Sequence, residues 1–180
     1  MELLVTPRLI LEPITLDVVE ATFAGDRAAI EDLVRAKVPD AWPGRALVER
    51  AFSASLEHIR AAPLRRLWGD RLMITRTDAS DGDGTRLVVG SVIFHGRPDD
   101  GIAEVGYGVE ERWQRKGYAS EATRACVDWA LAQEGITCVT ATTPPWHTAS
   151  IRVLERAGLS RVGIEEHDAL GEVLRFERRR

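Results

Sequence analysis

The chain has too few cysteines to hold a disulfide framework. Only Cys126 and Cys138 occur in 180 residues, and each falls inside a predicted helix or strand. We interpret both as reduced residues of the core. A catalytic thiol is the less favoured alternative.

Long apolar runs are also missing. No stretch approaches the ~18 consecutive apolar residues that a membrane-spanning helix needs. The N-terminus lacks the basic segment followed by an apolar stretch that is typical of a signal peptide. The sequence therefore predicts a cytoplasmic protein that does not bind a membrane.

Positive charge is not in excess either. The 24 Lys and Arg residues against 28 Asp and Glu residues give a net charge of −4, with an isoelectric point near 5.6. This balance argues against general binding of nucleic acid. The four histidines show no metal-ligand spacing, and the acidic turn at residues 78–84 lacks the first and last ligands of a calcium loop. We expect no metal.

What the chain has is the composition of one globular domain over residues 1–180. Hydrophobic residues make up 44% and charged residues 29%, which is ordinary for a soluble protein of this size. Periodicity and turn signals predict helices over 15–24, 26–37, 46–61, 119–133 and 149–157. They predict strands over 9–11, 67–77, 87–94, 102–109 and 136–142, and a closing hairpin through 162 and 174–176. This order favours a mixed α/β fold.

The most informative segment joins the strand over 102–109 to the helix that follows. Its loop contains Gln114, Arg115, Lys116, Gly117, Tyr118 and Ala119, and Ser120 comes next. The glycine permits a tight turn with close approach of the backbone to a ligand. A helix start adds free N–H groups and the positive end of the helix dipole. Together they predict a phosphate or pyrophosphate site, with Arg115 and Lys116 as nearby positive charges.

This loop resembles the Gln-x-x-Gly-x-Ala pyrophosphate motif of the GNAT superfamily of acyl-CoA N-acyltransferases. Residues 147–159 resemble the Asn-x-Ala-Ser-x-x-x-Leu-Glu-Lys-x-Gly-Phe segment of its ribosomal-protein alanine N-acetyltransferase (RimJ/RimL-like) branch. Residues 6–11 are similar to that branch's first strand. The resemblance implies a central, mostly antiparallel twisted sheet that is splayed at the cofactor cleft and flanked by helices. It also implies acetyl-CoA as acyl donor, bound by Val109, Gln114, Arg115, Lys116, Gly117, Tyr118, Ala119, Ser120 and His147.

Glu104 is the candidate general base. Alternation along the strand places Ile102, Glu104, Gly106 and Gly108 on one face, with Ala103, Val105, Tyr107 and Val109 on the core face. A bulge near Gly106 or Gly108, which the family has in this strand, would break that alternation. A carboxylate beside two glycines has space for a ligand. A structural ion pair is the alternative role for Glu104.

Ser150 is the candidate general acid. It lies on the inward stripe of the short helix over 149–157, together with Leu154. Many relatives have a tyrosine at the position of Leu154 that protonates the departing thiolate, and in the resembled branch the serine that matches Ser150 has this role. A helix cap or a bond to a nearby carbonyl is the alternative. His147 stands where the family has Asn, so it is either a pantetheine contact, a helix cap or a titrating group near the acceptor.

Trp42 and Tyr107 are the candidate residues for binding the acceptor. Trp42 lies in a loop over 38–44 that contains two prolines and a glycine, and the family places this loop over the acceptor. Loops with aromatic residues often shape such pockets.

The chain is thus expected to move an acetyl group from acetyl-CoA directly to a primary amine, with a backbone N–H near Val109 stabilising the oxyanion. The acceptor is a protein N-terminus or a small molecule such as an amino-sugar antibiotic, an amino acid or a polyamine. A CoA-binding module without turnover and a nucleotide-binding domain are the alternatives. Family members are often dimers, so a homodimer is possible.

Overall fold

A computed structural model describes residues 2–43, 47, 55–76 and 84–180 of the chain. Within these residues the architecture is mixed α/β, as the sequence predicts. The predicted turn at 78–84, apart from Gly84, and half of the predicted helix over 46–61 lie outside the described residues.

The first half of the chain alternates short strands with a group of helices. The strands are β1 (Leu4–Val5), β2 (Leu9–Pro13), β3 (Arg71–Thr75) and β4 (Val88–Ile93), and the helices are α1 (Leu16–Ala24), α2 (Arg27–Val34), α3 (Leu56–Ala61) and α4 (Pro63–Arg66). The second half contains β5 (Ile102–Glu104), β6 (Gly106–Val109), a 3₁₀ turn (Glu111–Trp113), α5 (Tyr118–Ala132), β7 (Cys138–Thr143), α6 (Thr148–Arg156), β8 (Ser160–His167) and β9 (Gly171–Arg179).

The two predicted helix caps of the first half are confirmed. The Thr15 side chain accepts a hydrogen bond from the N–H of Val18, and Asp26 accepts one from the N–H of Ala29. These bonds satisfy N–H groups that the first turn leaves free. Helix α2 ends at Val34, earlier than the predicted 37, because Arg35 adopts a left-handed conformation with φ of 50°.

Pro63 lies between two short helices. It follows the end of α3 and occupies the first position of α4. A proline at this position is favourable, because its missing N–H would have no partner in the helix and its φ is already helical.

The strands form two sheets. The first has the order β1-β2-β3-β4-β6, and every neighbouring pair in it is antiparallel. The second has the order β5-β7-β9-β8, with a parallel pair only between β5 and β7. The predicted single strand over 102–109 is therefore wrong in one respect: the segment divides at Val105, and its two halves belong to different sheets.

A hydrophobic core lies between the helices and each sheet face that they cover. The larger core packs α5 and α6 against both sheets and includes Val105, Cys126, Val139, Leu154 and Phe176. The smaller core packs α1, α2 and α3 against the opposite face of the first sheet. Both cysteines are buried and unpaired, in agreement with their interpretation as core residues.

Candidate active site

A cleft opens where the two sheets separate. Strand β5 pairs with β7 as far as Glu104 and Thr140, and the N–H of Val105 still donates to the carbonyl of Thr140 over 2.8 Å. From Gly106 onward the chain pairs with β4 instead. In the described part of the chain, β6 and the end of β7 share no ladder, so the sheet is split along this line.

Strand β6 presents backbone groups to this cleft. The N–H of Glu110 donates to the carbonyl of Val89 over 2.9 Å, next to the register pair of Gly90 with Val109. Hydrogen-bonded and non-hydrogen-bonded pairs alternate in an antiparallel ladder. The N–H groups of Tyr107 and Val109 therefore point away from β4, toward the cleft.

Gln114 fixes the end of that strand. Its amide nitrogen donates to the carbonyl oxygen of Val109 over 3.1 Å. The peptide backbone at the mouth of the cleft is thus held from both sides, by the ladder with β4 and by the side chain of Gln114.

The loop after β6 contains a run of free amide donors. Arg115 has a φ of 61° and Gly117 a φ of 85°, so the backbone twice enters the left-handed region. The N–H of Glu121 donates to the carbonyl of Gly117 and closes the first turn of α5. Among the described residues, the N–H groups from Arg115 to Ser120 have no backbone acceptor. Such a turn at a helix start forms a concave anion site.

Arg8 sets the direction of one peptide in this loop. Its Nη1 donates to the carbonyl oxygen of Lys116 over 2.7 Å. The C=O of one residue and the N–H of the next point in opposite directions across a planar trans peptide. By holding the carbonyl of Lys116, Arg8 turns the N–H of Gly117 the other way, into the free row of donors.

Glu121 positions Arg8 in turn. Its carboxylate accepts hydrogen bonds from Arg8 Nε (2.7 Å), from the N–H of Arg8 (2.8 Å) and from the hydroxyl of Thr6 (2.6 Å). Burial alone would raise the pKa of Glu121, but these bonds and the charge of Arg8 hold the pKa below its usual value. Glu121 is thus ionised, and Arg8 compensates its charge beside the anion site.

Two cationic side chains at the loop lie over aromatic rings. Lys116 Nζ lies 4.3 Å from the centre of the Trp113 ring, and the Arg8 guanidinium lies 4.8 Å from that of Tyr118. Both rings are buried. These cation–π contacts orient the cationic side chains around the loop.

Glu104 lies at the last paired position of β5, where the sheets begin to part. It is exposed, while Ala103 and Val105 are buried in the larger core. Tyr107 and Val109 pack against the same core, so the predicted division into two faces continues through the break at Val105. Within the described residues Glu104 forms no ion pair, and its carboxylate is accessible from the face opposite α5.

Ser150 lies in the first turn of α6 and contacts Tyr107 of β6. The two side-chain oxygens are 2.8 Å apart, and the Tyr107 hydroxyl is 3.1 Å from the backbone carbonyl oxygen of Ser150. Both residues are half-buried. The phenol of Tyr107 therefore points toward α6, and this contact joins the split strand to the helix.

His147 occupies the N-cap position of α6 through its backbone only. Its carbonyl accepts from the N–H groups of Ser150 and Ile151, but its side chain makes no capping bond. The imidazole instead meets the indole of Trp146 edge-on, with ring centres 5.6 Å apart. His147 is thus the helix-cap residue that the sequence allowed, but it caps through its backbone alone, and its ring is exposed.

Trp42 is held by helix α1 and the smaller core. Its indole N–H donates to the hydroxyl of Thr22 in α1 over 3.3 Å, and its ring packs against the smaller core. Among the described residues it makes no hydrogen bond to the other candidate site residues. Its predicted role in binding the acceptor stays a prediction.

The structure thus brings together Gln114 with Val109 and Tyr107 with Ser150, and it sets the free amides beside the same split strand. Sequence reasoning missed Arg8 and Glu121. One signal was present: an acidic residue in the first turn of a helix that binds an anion needs a positive partner, and Glu121 is such a residue.

Among the described residues, no group of three or more His, Cys, Asp or Glu side chains has an arrangement that could hold a metal ion. None of the helices in this part of the chain combines the length and the apolar character needed to cross a bilayer.

Comparison with known proteins agrees with this geometry. Residues 8–160 match the model of the acetyltransferase (GNAT) domain. The chain is 28% identical over 162 residues to the uncharacterized N-acetyltransferase YjdG of Bacillus subtilis (strain 168), covering 88% of this chain and 89% of that protein.

Solved structures share the fold at low sequence identity. A GNAT-family acetyltransferase from Bacillus anthracis superposes with a TM-score of 0.60 at 19% identity, covering 99% of this chain and 98% of that one. RimL, a ribosomal L7/L12 alpha-N-protein acetyltransferase in complex with coenzyme A, superposes with a TM-score of 0.62 at 16% identity, with coverages of 99% and 98%. With a family model that spans most of its length, the chain belongs to the GNAT family of acetyltransferases.

Proposed function

We propose that the protein transfers the acetyl group of acetyl-CoA directly to a primary amine and that its acceptor is a protein N-terminus. The observation that carries the first part is the row of free amides from Arg115 to Ser120, which opens onto the split between β6 and β7. Backbone N–H groups at a helix start suit a pyrophosphate, and the exposed strand edge suits the extended amide chain of pantetheine.

The proposed chemistry uses groups at the other end of the cleft. Glu104 takes a proton from the acceptor amine, directly or through a water molecule. The N–H of Val109, which faces the cleft, stabilises the oxyanion that forms when the amine attacks the thioester. Ser150 gives a proton to the departing thiolate. His147 and Gln114 are proposed to hold the donor, the first by its exposed ring and the second by fixing the Val109 peptide.

Support for a protein acceptor comes from the likeness of residues 147–159 to the RimJ/RimL-like segment and from the shared fold with RimL. We propose that Trp42 and the neighbouring loop shape the acceptor pocket. A small amine is the second candidate, because the face around Glu104 is open and polar, with Thr140 and Glu177 in register beside it.

The test is a screen of acceptors with purified protein and acetyl-CoA, in which thiol release is measured by a thiol-reactive dye. Peptides with free N-termini are compared with the same peptides blocked by N-terminal acetylation and with a panel of amino sugars, amino acids and polyamines. We expect release that depends on a free peptide N-terminus. Release with small amines alone would overturn the protein acceptor. CoA binding without release from any amine would overturn the enzyme and leave a binding module.

A further inference from the structure

The hydroxyl groups of Tyr107 and Ser150 form a pair that the resemblance to the family does not account for. They come from residues 43 positions apart, on a strand of one sheet and on a helix that packs against it, and their oxygens lie at hydrogen-bonding distance, 2.8 Å. Tyr107 lies on β6, next to the split between the two sheets.

The two hydroxyl protons have two possible arrangements. Tyr107 has one proton to donate, and either the carbonyl or the hydroxyl oxygen of Ser150 can accept it, at 3.1 Å and 2.8 Å. When the carbonyl accepts it, the hydroxyl of Ser150 is left to donate to the phenol oxygen. When Ser150 Oγ accepts it, the proton of Ser150 is free to point into the cleft. The 2.8 Å between the two hydroxyl oxygens fits both arrangements. The second places Tyr107 behind Ser150 as a donor and leaves the proton of Ser150 for a group in the cleft.

The relative acidities of the serine hydroxyl, the phenol and the leaving thiol determine which proton transfer is feasible. An aliphatic hydroxyl is about as weak an acid as water, and so a far weaker acid than a thiol, with a pKa near 8.5, or a phenol, with one near 10. If Ser150 gave its proton to a thiolate alone, it would be left as an alkoxide, which is strongly uphill. If the proton of Tyr107 follows, a phenolate is left, which is uphill by only about two pK units.

We propose that Tyr107 supplies the proton that Ser150 delivers to the departing thiolate. As the carbon–sulfur bond breaks, its electron pair stays on sulfur. The sulfur takes the proton of Ser150, and Ser150 Oγ takes the proton of Tyr107. The acceptor amine loses its own proton to Glu104. Before the next turnover, solvent takes this proton from Glu104 and returns a proton to the Tyr107 phenolate. Tyr107 is thus a positioning and proton-supplying residue that acts through Ser150, and this role rests on the proposed function.

This role differs from the role in acceptor binding that the sequence suggested for Tyr107. The phenol points toward α6 and the larger core, whereas Glu104 is exposed on the opposite face. The two proton transfers therefore take place on the two sides of the split strand, with the thioester between them.

The experiment compares Tyr107→Phe, Ser150→Ala and the double variant by steady-state thiol release, with CoA affinity and melting temperature measured for each. We expect each single variant to lower kcat roughly ten- to hundredfold with a nearly unchanged dissociation constant for CoA. The double variant should lose no more than the larger single loss, because both changes interrupt one relay. Ser160→Ala, on the exposed strand β8, is the matched control and should keep wild-type kcat.

Ser150→Cys gives the sharpest outcome. A thiol is acidic enough to protonate the leaving group by itself, so in this background Tyr107→Phe should have no further effect on kcat. A packing role would lower kcat by the same factor in both backgrounds. Two results would overturn the relay but not the proposed function: a wild-type kcat in Tyr107→Phe, or a loss of CoA affinity with no fall in kcat. A wild-type protein without turnover would overturn the proposed function as well.

Discussion

The proposed site has two unlike ends: the loop end offers the free backbone amides from Arg115 to Ser120, whereas the other end offers the side chains of Glu104 and Ser150, with Tyr107 behind Ser150. The loop is held by bonds from Arg8 and Glu121 to main-chain atoms. The other end depends on hydroxyl and carboxyl groups that belong to different elements. Backbone recognition is insensitive to most side-chain changes, so we expect the two ends to fail in different ways when they are mutated.

The largest effect should come from Glu104→Gln at the side-chain end. The amide cannot take a proton from the amine, and loss of a general base typically lowers the rate on the order of 10²–10⁴-fold. CoA affinity should stay unchanged, because the loop is not altered. The measurement is kcat by thiol release together with CoA binding by calorimetry. Glu165→Gln on the exposed strand β8 is the control. Lower stability with unchanged turnover per folded molecule would show that Glu104 has a structural role.

At the loop end, Gly117→Val should weaken CoA binding by roughly 10–100-fold, with a strain of about 1–3 kcal/mol for a left-handed residue. The φ of 85° disfavours any side chain, and a Cβ at this position would lie 3.2 Å from Arg8 Nη2.

Gly25→Val is the matched control, since Gly25 also has a positive φ, 68°, and open space around it. It should lower the melting temperature without changing CoA affinity. Equal CoA affinity in a folded Gly117→Val protein would contradict the phosphate-loop assignment.

A smaller effect is expected from Arg8→Met. The change removes the hydrogen bond that holds the carbonyl of Lys116, so the direction of the N–H of Gly117 is no longer fixed. Arg8 is partly exposed, with 41% of its side chain accessible, so we expect a rise of about three- to tenfold in KM for acetyl-CoA at nearly constant kcat. Arg60→Met, which breaks a similar surface pair with Glu20, should leave KM unchanged. A fall in kcat without the rise in KM would contradict the expectation that the loop end binds acetyl-CoA and the side-chain end carries out the reaction.

The smallest effect concerns the scaffold that both ends share. Burial raises the pKa of Asp70 to about 7, although a hydrogen bond from the N–H of Phe94 opposes this shift. The folded protein therefore keeps the proton at pH values where the unfolded chain has lost it. The stability that this proton gives should fall as pH rises from about 4 and be gone above about 7.

Asp70→Asn keeps an acceptor for Phe94 and removes the titration. Its melting temperature should change less between pH 5 and pH 8 than that of the wild type. The variant also distinguishes the titration of Asp70 near neutral pH from any titration of the groups that take part in the reaction. An unchanged pH dependence of the melting temperature would show that Asp70 is not its source.

The loop end could be predicted well from the sequence because its determinants are local. A glycine, two cationic residues and a helix start follow one another and define the turn, and the distant contact of Arg8 with the carbonyl of Lys116 adds to it. The family's fold and the inward position of Ser150 also followed from short patterns.

The side-chain end could not be predicted to the same degree. The contact of Tyr107 with Ser150 depends on how β6 and α6 pack, and no spacing in the sequence encodes it. The division of residues 102–109 at Val105 depends on partners from β4 and β7, and the Arg8 contact joins residues more than 100 positions apart. The sequence left the role of His147 open between a ligand contact and a helix cap, because a pattern does not tell whether the side chain or only the backbone caps the helix; here only the backbone does.

The split at Val105 has a consequence for the cohesion of the whole protein. Where β5 runs into β6, one continuous backbone passes between the two sheets, and beyond that point their strands are no longer hydrogen-bonded to each other. An extended ligand that pairs with the N–H of Val109, which points away from β4, would take the place of a missing strand. The amide proton of Val109 would then exchange with solvent more slowly in the complex than in the protein alone. The acetyl donor would act as an added strand for as long as it is bound, and the two sheets would be less firmly joined after it leaves.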